Sequence, residues 1–85
     1  MTYVPFWDPR MTEDWADYAR GLLRGEMSRR RVTYEDLVLL LREIGVKETS
    51  ANLRNKFSRG SFSAIFFLQC LRAMGTTSLQ LDDSQ

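Results

Sequence analysis

The chain contains no histidine, so the commonest general base and the commonest metal ligand are both missing. Ser-His-Asp and Cys-His catalytic sets fall with it. A single cysteine, Cys70, cannot close an internal disulfide, which fits a reducing compartment. It lies in the apolar run from Ile65 to Leu71 and reads as a small buried hydrophobe rather than a reactive thiol. The five glycines are scattered, so there is no phosphate-cradling loop. No stretch approaches the ~20 apolar residues of a membrane helix, and Met1 to Arg10 lacks the charged start and apolar run of a secretory signal. Adjacent acids occur at Glu13/Asp14 and Glu35/Asp36, in what read as first helical turns, where the helix dipole accounts for them. The expectation is a cytoplasmic, non-enzymatic protein with no metal, cofactor, membrane contact or small-molecule substrate.

What is present suits one small globular unit: 85 residues, 44% hydrophobic and 27% charged. A domain of this size has little interior, so nearly every apolar side chain must serve one shared core. The net charge is +1, but its distribution is uneven: Arg20 to Arg72 carries eleven basic residues against five acidic ones, an excess of six. The balancing acids lie toward the ends. The middle of the chain could therefore offer a basic face to a polyanion, or a mixed solvated surface.

Helical periodicity organises the rest. Pro5 and Pro9 stand among Tyr3, Val4, Phe6 and Trp7, so residues 1–11 are expected as an extended aromatic arm on the body or on a second copy. A first helix is expected from Glu13 to about Arg30, with Thr12 as N-cap. Its buried stripe would comprise Trp15, Tyr18, Ala19, Leu22, Leu23 and Met27, and Arg29 to Arg31 would meet its negative end. Thr33 and Asp36 have capping-box spacing before a second helix. Leu37, Leu40, Leu41 and Ile44 share one of its faces, and Gly45 supplies the left-handed stop. Val38 and Leu39 imply cover on a further side. A third helix follows Thr49 and stops at Gly60, with Leu53, Phe57 and Ser50 turned inward. Glu48, Ala51, Asn52, Asn55, Ser58 and Arg59 lie on the opposite stripe, with Arg54 and Lys56 on the flanks. A fourth helix runs from Ala64 to about Met74, capped by Ser63, with Phe62 and Phe67 as a hydrophobic staple. It is apolar around nearly its whole circumference, hence central or in a subunit interface. Residues 76–85 form a polar tail. The whole predicts an all-α domain of four or five helices over residues 12–75.

The second and third helices, joined by Gly45-Val46-Lys47-Glu48, have helix-turn-helix organisation: one helix is anchored, and the next is polar outside and thinly apolar inside. Such a probe fits the ~12 Å major groove. Asparagine amides at Asn52 and Asn55 could both donate to and accept from adenine. Arg54 and Lys56 could hold phosphates, and Lys47 in the turn is a further candidate DNA contact. The amino ends near Tyr34 and Ser50 could offer backbone N–H groups.

The runs Glu35-Asp36-Leu37 to Ile44-Gly45-Val46, Asn52-Leu53 to Arg59-Gly60 and Phe67-Leu68 to Ala73-Met74-Gly75 resemble the Cro/lambda-repressor-like (XRE-type) helix-turn-helix domains. More closely, Ala19 to Gly75, with Ala51-Asn52-Leu53-Arg54-Asn55-Lys56 and Phe66-Phe67-Leu68-Gln69-Cys70-Leu71, is similar to a family of small bacterial proteins carried as a domain of unknown function. The resemblance implies a lambda-repressor-like fold. It maps contacts with double-stranded DNA to Tyr34, Ser50, Ala51, Asn52, Asn55 and Arg59, with Arg54 and Lys56 on the backbone. The stretch from Gly45 to Gly60 is longer than usual in those domains, and Tyr34 stands where many carry glutamine. The functional expectation is a DNA-binding, dimeric transcriptional regulator, with the third helix as its recognition element. The alternative is a protein-interaction module on the same fold.

Overall fold

The computed structural model describes the backbone of residues 9–81 and the side chains of 15–81. Four helices run in order: α1 Pro9–Arg30, α2 Tyr34–Glu43, α3 Ser50–Arg59 and α4 Ala64–Ala73. The described residues contain no strand, so the fold is all-α. Among them, no helix is long and apolar enough to cross a membrane.

The start of α1 corrects the sequence reading. The helix opens at Pro9 rather than Glu13, and Thr12 lies inside it. Proline is well suited to a first helical position, because its missing N–H is one that has no intrahelical partner there. Residues 9–11 therefore belong to the helix, and the rest of the expected arm, 1–8, lies outside the described residues.

The other starts and stops follow local chemistry. Thr33 and Asp36 form a reciprocal capping box, each side chain bonded to the other's backbone N–H at 3.0 Å. Ser63 accepts from the Phe66 N–H at 3.0 Å, and the Phe62 and Phe67 rings stack with centroids 6.2 Å apart, as a staple requires. Three helices end in the same pair of backbone hydrogen bonds. Val32 N–H reaches Met27 O, Val46 N–H reaches Leu41 O and Thr76 N–H reaches Leu71 O, with the preceding residue bonded one turn inside. That preceding residue is left-handed in each case. It is Gly45 and Gly75 in two of them, and Arg31 (φ 57°) at the end of α1, where a side chain bears strain that glycine would not.

α4 packs on α1 and α2, and α2 packs on α3. The core takes Leu23 and Met27 from α1, Leu37 and Leu41 from α2, Leu53 and Phe57 from α3, and Phe66, Cys70, Leu71 and Met74 from α4 and its cap. Each such side chain contributes roughly 1.5–3 kcal/mol of transfer free energy. Two expected core positions are not there. Trp15, placed in the buried stripe of α1, is 62% exposed and lies edge-on to Tyr18. Ile44, assigned to the inner face of α2, is exposed, because it is the C-cap residue and has left the helical path. α4 is central through Phe66, Cys70 and Leu71, yet it leaves Ile65 and Leu68 69% and 61% exposed. Leu39 on α2 is exposed as well, while Val38 packs against the core.

Candidate nucleic-acid interface

α3 is a polar helix held by two anchors. Thr49 Oγ1 accepts from the Asn52 N–H at 3.1 Å, and Gly60 (φ 66°) closes the other end, its N–H bonded to the Lys56 and Phe57 carbonyls. Leu53 and Phe57 are fully buried. The Phe57 ring is the hub, edge-on to Tyr34 at 5.3 Å and Phe66 at 6.3 Å, and tilted against Phe62 at 6.1 Å. Gly60 is required twice, for its left-handed backbone and for space: a Cβ there would sit 3.2 Å from the Ala16 Cβ and the Arg20 guanidinium. Arg20 reaches across from α1, donating through Nη1 to the Phe57 and Ser58 carbonyls at 3.0 and 2.6 Å and through Nη2 to Asp17. A guanidinium at the negative end of α3 gives the Ser58 carbonyl a donor and the Phe57 carbonyl a second one beside the Gly60 N–H.

With its inner face fixed, α3 turns Ala51, Asn52, Arg54, Asn55, Ser58 and Arg59 to solvent. Ser50 is half-buried, and Lys47, in the preceding turn, is exposed. Tyr34, in the first turn of α2, is half-buried against Phe57 with the Arg54 guanidinium 5.2 Å above its ring. The expected contact residues from the two helices therefore meet at Tyr34 and Arg54.

The flanking cations are not equivalent. Arg54 Nη2 lies 3.1 Å from Glu35 Oε2, and both side chains are more than half exposed. Glu35 is held below the usual carboxylate range by a hydrogen bond from its own backbone N–H and by Arg54. Lys56 Nζ is 2.6 Å from Glu48 Oε2 and 4.5 Å from the Phe66 ring centre. The Glu48 side chain is 9% exposed, which corrects its assignment to the outer stripe: it folds under α3 to meet Lys56. Its Oε1 has no partner among the described residues. Burial, then the Glu48 charge, push the Cys70 thiol up to about 12, so that thiol is inert at neutral pH. By contrast, Lys47, Arg59 and Arg42 have no carboxylate within ion-pairing distance among the described residues.

A second polar cluster was invisible in the sequence. Glu26 is buried on α1 and bonds Arg29, Arg30 (3.1 Å) and Thr76 Oγ1 (2.9 Å), tying the segment after α4 to α1. The Arg29 bond, then those from Arg30 and Thr76, outweigh burial and bring its pKa down to about 2. Arg29 and Arg30 thus serve Glu26, one turn back, in addition to ending the helix. No group of three or more metal-binding side chains occurs among the described residues. An open apolar groove of about 510 Å³ lies between α4 and the segment after it, lined by Ile44, Ile65, Leu68, Leu71 and Leu79.

Fold and surface together define a small all-helical domain that offers one polar helix to solvent beside an apolar groove. Residues 15–79 match the model of the family described as Domain of unknown function (DUF6471), and the chain belongs to that family. No curated protein and no solved structure matches it.

Proposed function

We propose that this chain binds double-stranded DNA with α3 in the major groove. The observation that carries the reading is the outer face of α3, where Asn52, Asn55 and Arg59 stand exposed above the buried anchors Leu53 and Phe57. A helix so anchored can enter a groove ~12 Å wide as a rigid body. Each asparagine amide can donate to adenine N7 and accept from its N6. Lys47 and Arg59, which have no carboxylate partner among the described residues, can neutralise phosphates, while Arg54 and Tyr34 border the same face. Lys56, committed to Glu48, contributes less than its flank position in the sequence suggests. Regulation of transcription follows as the role of such a protein, with two copies reading half-sites about 34 Å apart.

Titration of the full chain with duplex DNA at about 50 and about 200 mM salt tests this. Two phosphate contacts per protomer give roughly a tenfold loss of affinity across that range for one bound copy, and on the order of a hundredfold for two copies bound together. No binding at low salt would reject the reading.

A second reading rests on a different observation, the exposed Ile65 and Leu68 beside Ile44. That face would join two copies of this chain, as the dimeric reading requires, or hold another protein if α3 binds no nucleic acid. Fold alone does not decide between them.

A further inference from the structure

Among the described residues, Arg54 is the one cation on the exposed rim of α3 that carries a carboxylate partner from another helix. Its guanidinium lies between the Tyr34 ring face, 5.2 Å away, and Glu35 Oε2, 3.1 Å away. Both partners come from the first turn of α2.

The start of α2 does not depend on this carboxylate alone, although Glu35 also suits the positive end of the helix. Thr33 and Asp36 already complete the capping box there. Nor does the pair hold the fold together: the side chains are 55% and 64% exposed, and solvent-exposed ion pairs contribute little. What Glu35 does do is place an anionic oxygen within hydrogen-bond reach of one guanidinium nitrogen, Nη2, which a DNA phosphate oxygen would also seek. It is also a negative charge on the rim of a surface that must approach a polyanion.

We propose that Glu35 is a built-in competitor of DNA phosphate for Arg54, which holds down the affinity of the α3 surface and flattens its salt dependence. The proposal rests on the DNA reading and deepens it. With Glu35 present, Arg54 enters the complex already neutralised, so its docking releases no counterion, and Glu35 repels the strand. With Glu35 removed, Arg54 stays beside Tyr34 and becomes a further phosphate contact. Arg54 is then a reserve of affinity, released when the Glu35 charge is neutralised.

The test uses the full chain, Glu35→Gln, Arg54→Met and the double variant, each titrated by fluorescence anisotropy against a labelled mixed-sequence duplex at several salt concentrations. Glu35→Gln is expected to bind on the order of fivefold more tightly at low salt, with the slope of log affinity against log salt steeper by about 0.9, the contribution of one phosphate. In the Arg54→Met background the same change is expected to gain less than about twofold, from lost repulsion alone and with no change of slope, because the larger effect passes through Arg54. Unchanged affinity and slope in Glu35→Gln would overturn the proposal while leaving the DNA reading intact. An equal gain with and without Arg54 would also overturn it, reducing Glu35 to a general repulsive charge. If none of the four proteins forms a complex at low salt, the DNA reading itself fails and this proposal with it.

Discussion

α3 and α4 are helices of equal length, ten residues each, both opened by a hydroxyl N-cap and both followed by a left-handed glycine. They solve opposite problems. α3 is polar, and two side chains, Leu53 and Phe57, hold it on the body. α4 is apolar on almost every face and is buried on only one, so Ile65 and Leu68 are left in water. A helix with few anchors can devote its outer face to chemistry, but its position depends heavily on each anchor. A helix with surplus apolar surface is held redundantly and invites a partner.

The contrast is broken most sharply at Phe57. Truncation to alanine removes the ring that Tyr34, Phe62 and Phe66 pack on, and is expected to cost about 3–5 kcal/mol. That is comparable to the whole net stability of a domain this small. Urea unfolding checks it, and a loss below about 1 kcal/mol would mean that α3 is held by something other than its anchors.

Arg20→Met asks whether the end of α3 is a third anchor. It keeps the aliphatic stem but removes the donors to the Phe57 and Ser58 carbonyls. A loss of about 1–2 kcal/mol is expected, with amide exchange accelerated in the last turn of α3 and not in α4.

The segment beyond α4 is fastened by Glu26, whose carboxyl is held at about 2, below its ordinary 4.5. A lowered carboxylate pKa stabilises the fold above the unfolded value and loses that stabilisation as pH falls through the folded one. Stability is therefore expected to decline between pH 4.5 and about 2, and Glu26→Gln should flatten that acid limb. An identical limb in the variant would assign it to other carboxylates.

The smallest effect is expected where α4 faces water. Ile65→Ser and Leu68→Ser should each change monomer stability by no more than about 0.5 kcal/mol. Leu71→Ser, one turn away and buried, should be severely destabilising. If the two exposed changes lower the apparent molecular mass in sedimentation, α4 carries a dimer. If they leave it unchanged, that face serves another purpose.

Much of this contrast was legible in the sequence because it is local. Caps at Thr33, Thr49 and Ser63, stops at Gly45, Gly60 and Gly75, and the inward turn of Leu53 and Phe57 depend on neighbours within a turn or two, which spacing reveals. The start of α1 was misread because proline was taken as a breaker when it stands at a first position. What spacing could not reveal were pairings across the chain: Arg20 with the end of α3, Glu26 with Thr76, and Arg54 with Glu35. These are separated by as many as 50 residues, and no periodicity connects them. Glu48 shows the same limit. Its position suggested the solvent stripe, but Lys56 and the space beneath α3 draw it under the helix. The two flank cations of the candidate site, Arg54 and Lys56, each carry a carboxylate, which a count of cations does not show.

The division between a chemical helix and a packing helix is tested most directly by backbone amide chemical shifts during titration with duplex DNA at low salt. Shifts concentrated at Lys47, Asn52, Asn55 and Arg59, with Ile65 and Leu68 still, are the expected result. Shifts confined to α4, or none in α3 at saturating DNA, would contradict it.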